Sequence, residues 1–273
     1  LPLQRRLRGA SHVLTYVAVG IVAGLLAGLF GVGGGLVIVP VLAGLFIAQG
    51  FPSEYIMQMA VGSSLATIVV TSLSSVRAHH SRGGVRWPLV MQMSVAIVIG
   101  TWIGSYIAHL VPSEGMARFF GVFELAVAAH MLFGKPPAAH QQEPGKSRNL
   151  VAGTTIGGLS ALLGIGGGTL TVPYLVWHNI PMREAVGTAA ACGMPIAVSG
   201  AIGFMVAGWS VAGLPAGSTG YVFWPAVGGI CLASVLAAPL GAKLAYRLPK
   251  DRLKQVFALM LVGLGLYMLF GAA

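Results

Sequence analysis

Gly31-Val-Gly33-Gly34-Gly35-Leu-Val-Ile-Val-Pro40 interrupts an apolar run that extends from about residue 13 to residue 48. A membrane-spanning helix needs about 20 mainly apolar residues, so this run is too long for one helix of ordinary tilt. Three adjacent glycines and a following proline in its middle break the helix. The arrangement returns as Gly164-Ile-Gly166-Gly167-Gly168, followed by Pro173, in a second overlong run at 149–178.

Working outward from the two breaks, other stretches repeat in the same order. Ala60-Val-Gly62-Ser63 matches Ala185-Val-Gly187-Thr188, and Val85-Arg-Trp87-Pro88 matches Val222-Phe-Trp224-Pro225. Gly104 matches Gly241, and Val111-Pro112 through Phe120 matches Leu248-Pro249 through Phe257. Nearly constant spacing marks an internal duplication. The first membrane repeat is residues 1–134, a polar linker with Pro136-Pro137 is 135–148, and the second repeat is 149–273. Each repeat has about four hydrophobic segments, the remaining six at 56–77, 87–110, 116–134, 185–208, 219–244 and 253–272. An all-α integral membrane protein of two homologous halves follows.

Composition agrees. Charged residues make up 8% of the 273, against about 25% in soluble proteins. Sixteen Lys and Arg oppose six acids. They sit in short clusters between apolar runs, a topology signal and not a nucleic-acid surface. Arg5, Arg6 and Arg8 precede the first run like the start of a signal peptide, but no small-residue cleavage site follows, so a retained segment is expected. Cys192 and Cys231 lie in apolar stretches without CxxC or Cys/His spacing and read as small buried hydrophobes.

Lys and Arg prefer cytoplasmic loops. If all eight segments simply cross, the cluster Lys243, Arg247, Lys250, Arg252 and Lys254 is stranded outside. If segments one and five enter and return as re-entrant half-helices, the loops at 77–86, 135–148, 183 and 243–254 all fall inside, which places twelve of the sixteen basic residues there at the cost of putting Arg5, Arg6 and Arg8 outside; letting segment one cross fully while segment five returns places more of them inside but breaks the symmetry. Inverted repeats are therefore expected.

Backbone inside hydrocarbon must satisfy its N–H and C=O groups, so a break there is tolerated only where protein or a wet cavity surrounds it. A helix restarting after Gly33, Gly34 and Gly35, or after Gly166, Gly167 and Gly168, points free N–H groups and the positive end of its dipole at that place, which suits an anion. The competing reading is close packing of small residues. The GxGxxG spacing of a dinucleotide site is lacking.

Ser64, Thr67, Thr71, Ser74 and Ser75 share one face of the second segment, with Ser63 beside them. Hydroxyls donate to an oxyanion without the cost of burying Lys or Arg. Ser63, Ser64 and Thr67 are substrate-binding candidates, whereas Thr71 onward reads as helix packing. In the second half only Thr188 keeps a hydroxyl, because Ala189, Ala190 and Ala191 follow. Glu124 is the one acid inside a predicted span; a carboxyl there is costly when ionised, which makes it a candidate proton carrier. His130 lies on another helical face from Glu124. His79 and His80 read as loop residues, and Trp87 and Trp224 as interfacial aromatics. There is no nucleophile–base–acid set, zinc spacing or P-loop. No enzyme, cofactor or metal is expected.

Gly28 through Pro40, its second copy Gly158 through Pro173, and the Ala-Val-Gly-Ser/Thr starts resemble the TauE/SafE sulfite exporter family, over about residues 16 to 270. The resemblance implies a duplicated permease for sulfite, sulfonates, sulfoacetate or related organosulfur anions, moved by proton-linked or gradient-driven transport. Its motif positions here are Gly33, Gly34, Gly35, Pro40, Gly166, Gly167, Gly168 and Pro173, with Gly62-Ser63 and Gly187-Thr188. The commoner pattern places Ser after Gly-Thr, where this chain has Ala189. The expected protein is a multi-pass secondary transporter of the cell (inner or plasma) membrane, with a small organosulfur anion and the bilayer as its partners. A membrane scaffold or assembly factor, and an anion channel, are the alternatives.

Overall fold

The computed structural model describes residues 15–26, 34–134, 145–245 and 250–272. Gly33, Arg5, Arg6, Arg8 and linker residues 135–144 lie outside the described residues. Helices α1 (Thr15–Leu26) and α2 (Gly35–Ala48) flank the first break. A 3-10 turn (Ser53–Tyr55) leads into α3 (Ile56–His80), followed by α4 (Trp87–Leu110) and α5 (Ser113–Phe133). Helices α6 (Lys146–Leu163) and α7 (Gly168–Trp177) flank the second break, and α8 (Met182–Ala207), α9 (Trp224–Ala245) and α10 (Lys250–Phe270) follow.

Among the described residues, four helices are long and apolar enough to cross a membrane: the turn with α3, α4, α5 and α8. Their outer faces are apolar. On α4, Met91, Val95, Ile99, Trp102, Ile103 and Tyr106 are all exposed at helical spacing, with Met91 71% exposed. In water such a stripe would be a large liability, but in lipid it is ordinary solvent-facing surface. The fold is an all-α, multi-pass membrane protein.

The expected span at 219–244 starts later. Residues 218–223 form a small hairpin, β1 (Ser218–Thr219) paired antiparallel with β2 (Val222–Phe223), and the helix begins at Trp224. Gly220, in the connection between the strands, supplies the positive φ that such a turn needs.

Each glycine break folds its segment back. The Tyr16 hydroxyl at the start of α1 donates to Gln49 Oε1, just past α2, at 2.7 Å. A straight helix would hold those residues about 50 Å apart. The Tyr174 hydroxyl on α7 likewise donates to Asn149 Oδ1 on α6 at 2.9 Å, against about 37 Å for a straight helix.

Glycines set the close pairings. Helices α4 and α6 pack in parallel: a Cβ at Gly100 would lie 2.0 Å from the Thr154 carbonyl oxygen, and one at Gly104 2.4 Å from that of Gly158. Helices α1 and α9 pack in parallel too, with Gly20 against Ile230 and Gly24 against Ser234. Helix α5 pairs with α10 through Gly121 and Gly265, and α3 lies against α8 at the centre. These directions put the end of α3 and the starts of α4, α6 and α8 at one face. Arg77, Arg82, Arg86, Lys146, Arg148 and Arg183 gather there. At the other face Arg118 pairs with Glu114.

Candidate functional site

The two breaks meet. A Cβ at Gly35, the first residue of α2, would fall 2.6 Å from the Gly164 carbonyl oxygen and 2.8 Å from Ile165 Cα. Only a residue without a side chain permits that approach. Gly34 precedes it at φ 77° and Gly164 ends α6 at φ 62°, both in the left-handed region. The chain then runs non-helically through Ile165, Gly166 and Gly167 before α7. Helices α3 and α8 grip it from two sides. A Cβ at Gly164 would lie 3.1 Å from Val61 Cα, and one at Gly167 2.6 Å from the Ala189 carbonyl oxygen.

The described glycines of the two breaks are not equivalent. Gly35 and Gly167 are in backbone contact, whereas a Cβ at Gly166 would meet only Ile68 Cγ2 at 3.6 Å, an ordinary van der Waals distance. Pro40 and Pro173 lie inside α2 and α7, where each leaves the carbonyl four residues earlier without its helical partner.

The candidate hydroxyls are all fully buried, and they do different things. Ser64 Oγ donates to the Gly164 carbonyl at 2.8 Å and so ties α3 to the second break. Thr67 Oγ1 donates to the Ser64 carbonyl on its own helix at 2.6 Å. Ser63 Oγ accepts the Phe223 N–H at 3.0 Å, and Thr188 Oγ1 accepts the Arg86 N–H at 3.0 Å. Phe223 ends the hairpin before α9, and Arg86 is the residue before α4. Thus each Gly-Ser/Thr pair receives a loop from the other half. The preceding glycine makes room for it: a Cβ at Gly187 would lie 2.1 Å from the Gly84 carbonyl oxygen, and one at Gly62 3.2 Å from that of Tyr221. Arg86 also bonds Glu184 through its side chain, at the face where the basic residues gather.

Glu124 is fully buried halfway along α5, and among the described residues neither of its carboxylate oxygens has a hydrogen-bond partner. His130 is exposed, and His80 accepts the Trp87 indole N–H at 3.1 Å. The Trp224 indole donates to Thr219 Oγ1 at 2.9 Å, so both matched tryptophans hold the loop that precedes them. Cys192 and Cys231 are free thiols, the first fully buried.

Sequence reasoning overlooked the hairpin and three further hydroxyls. Tyr221 sits buried between Tyr55, Phe204 and His109, its oxygen 2.9 Å from His109 Nδ1. Burial, with Tyr55 adding to it, pushes the Tyr221 hydroxyl up to about 12, so it stays protonated. Ser160, Thr169 and Thr171, on either side of the second break, have buried hydroxyl oxygens without a partner. Their signal was in the sequence, as hydroxyls beside the glycines where the first half carries Ala27, Leu36 and Ile38.

Comparison with known proteins places this architecture. The sulfite exporter TauE/SafE family profile matches residues 16–268. A probable membrane transporter protein of Haemophilus influenzae is 37% identical over 92% of this chain and 96% of its own length. One from Methanocaldococcus jannaschii is 26% identical over 93% and 94%, and one from Bacillus subtilis is 28% identical over 70% and 78%. No solved structure matches the chain. The chain is a membrane transporter, not an enzyme, and it belongs to the TauE/SafE sulfite exporter family.

Proposed function

We propose that this protein is a secondary transporter of a small anion, sulfite, a sulfonate or a related organosulfur anion, bound where the glycine breaks meet near the bilayer midplane. The contact between Gly35 and Gly164 carries the reading, because it brings the starts of α2 and α7 to one place. Helix starts carry unpaired N–H groups and a positive partial charge, which favour an anion without a buried cation. Gly166 leaves space there that its neighbours do not fill. The halves act as inverted repeats, residues 1–134 and 149–273, joined by the 135–148 linker.

In this reading Ser64 and Thr67 border the site, and Ser63 and Thr188 hold the loops that close on it from opposite faces. Gly33, Gly34 and Gly35 with Gly166, Gly167 and Gly168 form its backbone. Glu124 couples transport to protons, since a buried carboxyl without a partner is stable there when neutral and must take up and release a proton to cycle. The protein resides in the cell membrane with its basic face in the cytoplasm.

Proteoliposomes containing the full chain test this. Labelled sulfite or ethanesulfonate should move with saturation and faster under a proton gradient, and Glu124→Gln should abolish the pH dependence while binding persists. Absence of flux for both anions overturns the transport reading, and conductance without saturation makes the protein a channel. Unchanged pH dependence in Glu124→Gln removes that residue from the coupling.

A further inference from the structure

Hydroxyls in membrane helices ordinarily spend their proton on a carbonyl one turn back. Thr67, Thr71, Ser72, Ser94, Thr101 and Ser105 all do so here. Ser160, Thr169 and Thr171 do not: their oxygens are shielded from solvent and unpaired, and Ser160 and Thr171 are 0% exposed. A fully buried hydroxyl left unsatisfied is costly, so two that flank one break call for a ligand that takes their protons.

Two of them, Ser160 and Thr171, face each other across the hairpin. Thr171 is one turn before Tyr174, whose hydroxyl reaches Asn149 on α6, so Thr171 lies on the α6 side of α7. Ser160 is about three full turns beyond Asn149 and shares its face of α6. Ser160 and Thr171 each stand four residues from the break, about 6 Å along their helices, and therefore at the same depth. Thr169 is in the first turn of α7, two residues from Thr171 and so on the opposite side of that helix. At the matched positions the first half has only Ala27, Leu36 and Ile38.

We infer that Ser160 and Thr171 form an oxyanion subsite on the α6–α7 hairpin, donating hydroxyl hydrogens to the oxygens of a small anion, so that the second half adds side-chain donors to the helix starts that the two breaks bring together. The subsite rests on the transport reading and adds residues and a direction to it. Neutral hydroxyl donors select for the anion without a permanent charge to slow its release.

Binding of sulfite and of ethanesulfonate to the purified full chain in detergent, measured by calorimetry, tests the assignment. Thr171→Val and Ser160→Ala should each weaken both anions by about tenfold, as expected for one hydrogen bond to a charged group. Thr171→Ser should stay within about threefold of the parent. Thr155→Val, whose exposed hydroxyl bonds the Val151 carbonyl, should change nothing. Thermal unfolding identifies a variant that fails to fold, and Thr171→Ala then supplies the comparison. Parent-like affinity in the hydroxyl-deleted variants overturns the subsite alone, as does a loss confined to one anion. A parent protein that binds neither anion overturns the subsite and the transport reading together.

Discussion

At the scale of single residues, the glycines separate into two kinds. A Cβ at Gly35 or Gly167 would enter a carbonyl oxygen at 2.6 Å, and backbone cannot swing aside as a side chain can. Gly35→Ala and Gly167→Ala should therefore each destabilise the protein by about 1–3 kcal/mol, the usual cost of overpacking, read as a lower unfolding temperature in detergent. Gly166→Ala meets only the end of Ile68 and should leave that temperature unchanged while reducing anion transport, because its methyl group occupies the space assigned to the ligand. Equal destabilisation in all three variants would make Gly166 a packing residue. The sequence shows three identical letters in each break. What separates them is which neighbour each one faces, and that neighbour comes from a distant part of the chain.

Among the elements, the hairpin at 218–223 and the loop at 81–86 do matched work on opposite faces. Each delivers one backbone N–H to a hydroxyl on the other half, Phe223 to Ser63 and Arg86 to Thr188, and in each case the glycine before that hydroxyl accommodates the loop. Ser63→Ala strands a buried N–H, which costs about 1–3 kcal/mol, and should speed hydrogen exchange at the Phe223 amide while leaving Arg86 unaffected. Thr188→Val should do the converse, and Thr188→Ser should restore protection. Exchange that rises at both amides in either variant would mean that the loops open together. The repeated Ala-Val-Gly-Ser/Thr and Val-x-Trp-Pro stretches were visible in the sequence as separate matches. Their joining was not, because hydrophobic periodicity describes one helix at a time and carries no information about which loop reaches it. The hairpin itself read as the opening of an apolar span because Tyr221, Val222 and Phe223 are as apolar as the helix they precede.

Over the whole molecule, charge and topology agree. The return of α2 and α7 on their own segments leaves the starts of α4, α6 and α8 at one face, and the described basic side chains of those elements follow them there. In a cysteine-free background, Ser81→Cys should be labelled by a membrane-impermeant maleimide only from the cytoplasmic side, and Ala212→Cys only from the opposite side. The reverse pattern would overturn the assigned orientation, and labelling of both from one side would overturn the crossing number of α3 through α8.

The sequence alone determined that the chain lives in a bilayer and where its two overlong apolar runs are broken. These are sums and repeats of local properties: apolar length sets spans, and three glycines with a proline disrupt a helix wherever they occur. Tertiary structure decided which groups meet. It set Gly35 against Gly164, gave Ser63 and Thr188 to the loops of the opposite half, and left Ser160, Thr169 and Thr171 without partners. Ser63 and Thr188 find their partners through packing between residues more than a hundred positions apart, and no local pattern of letters encodes that distance.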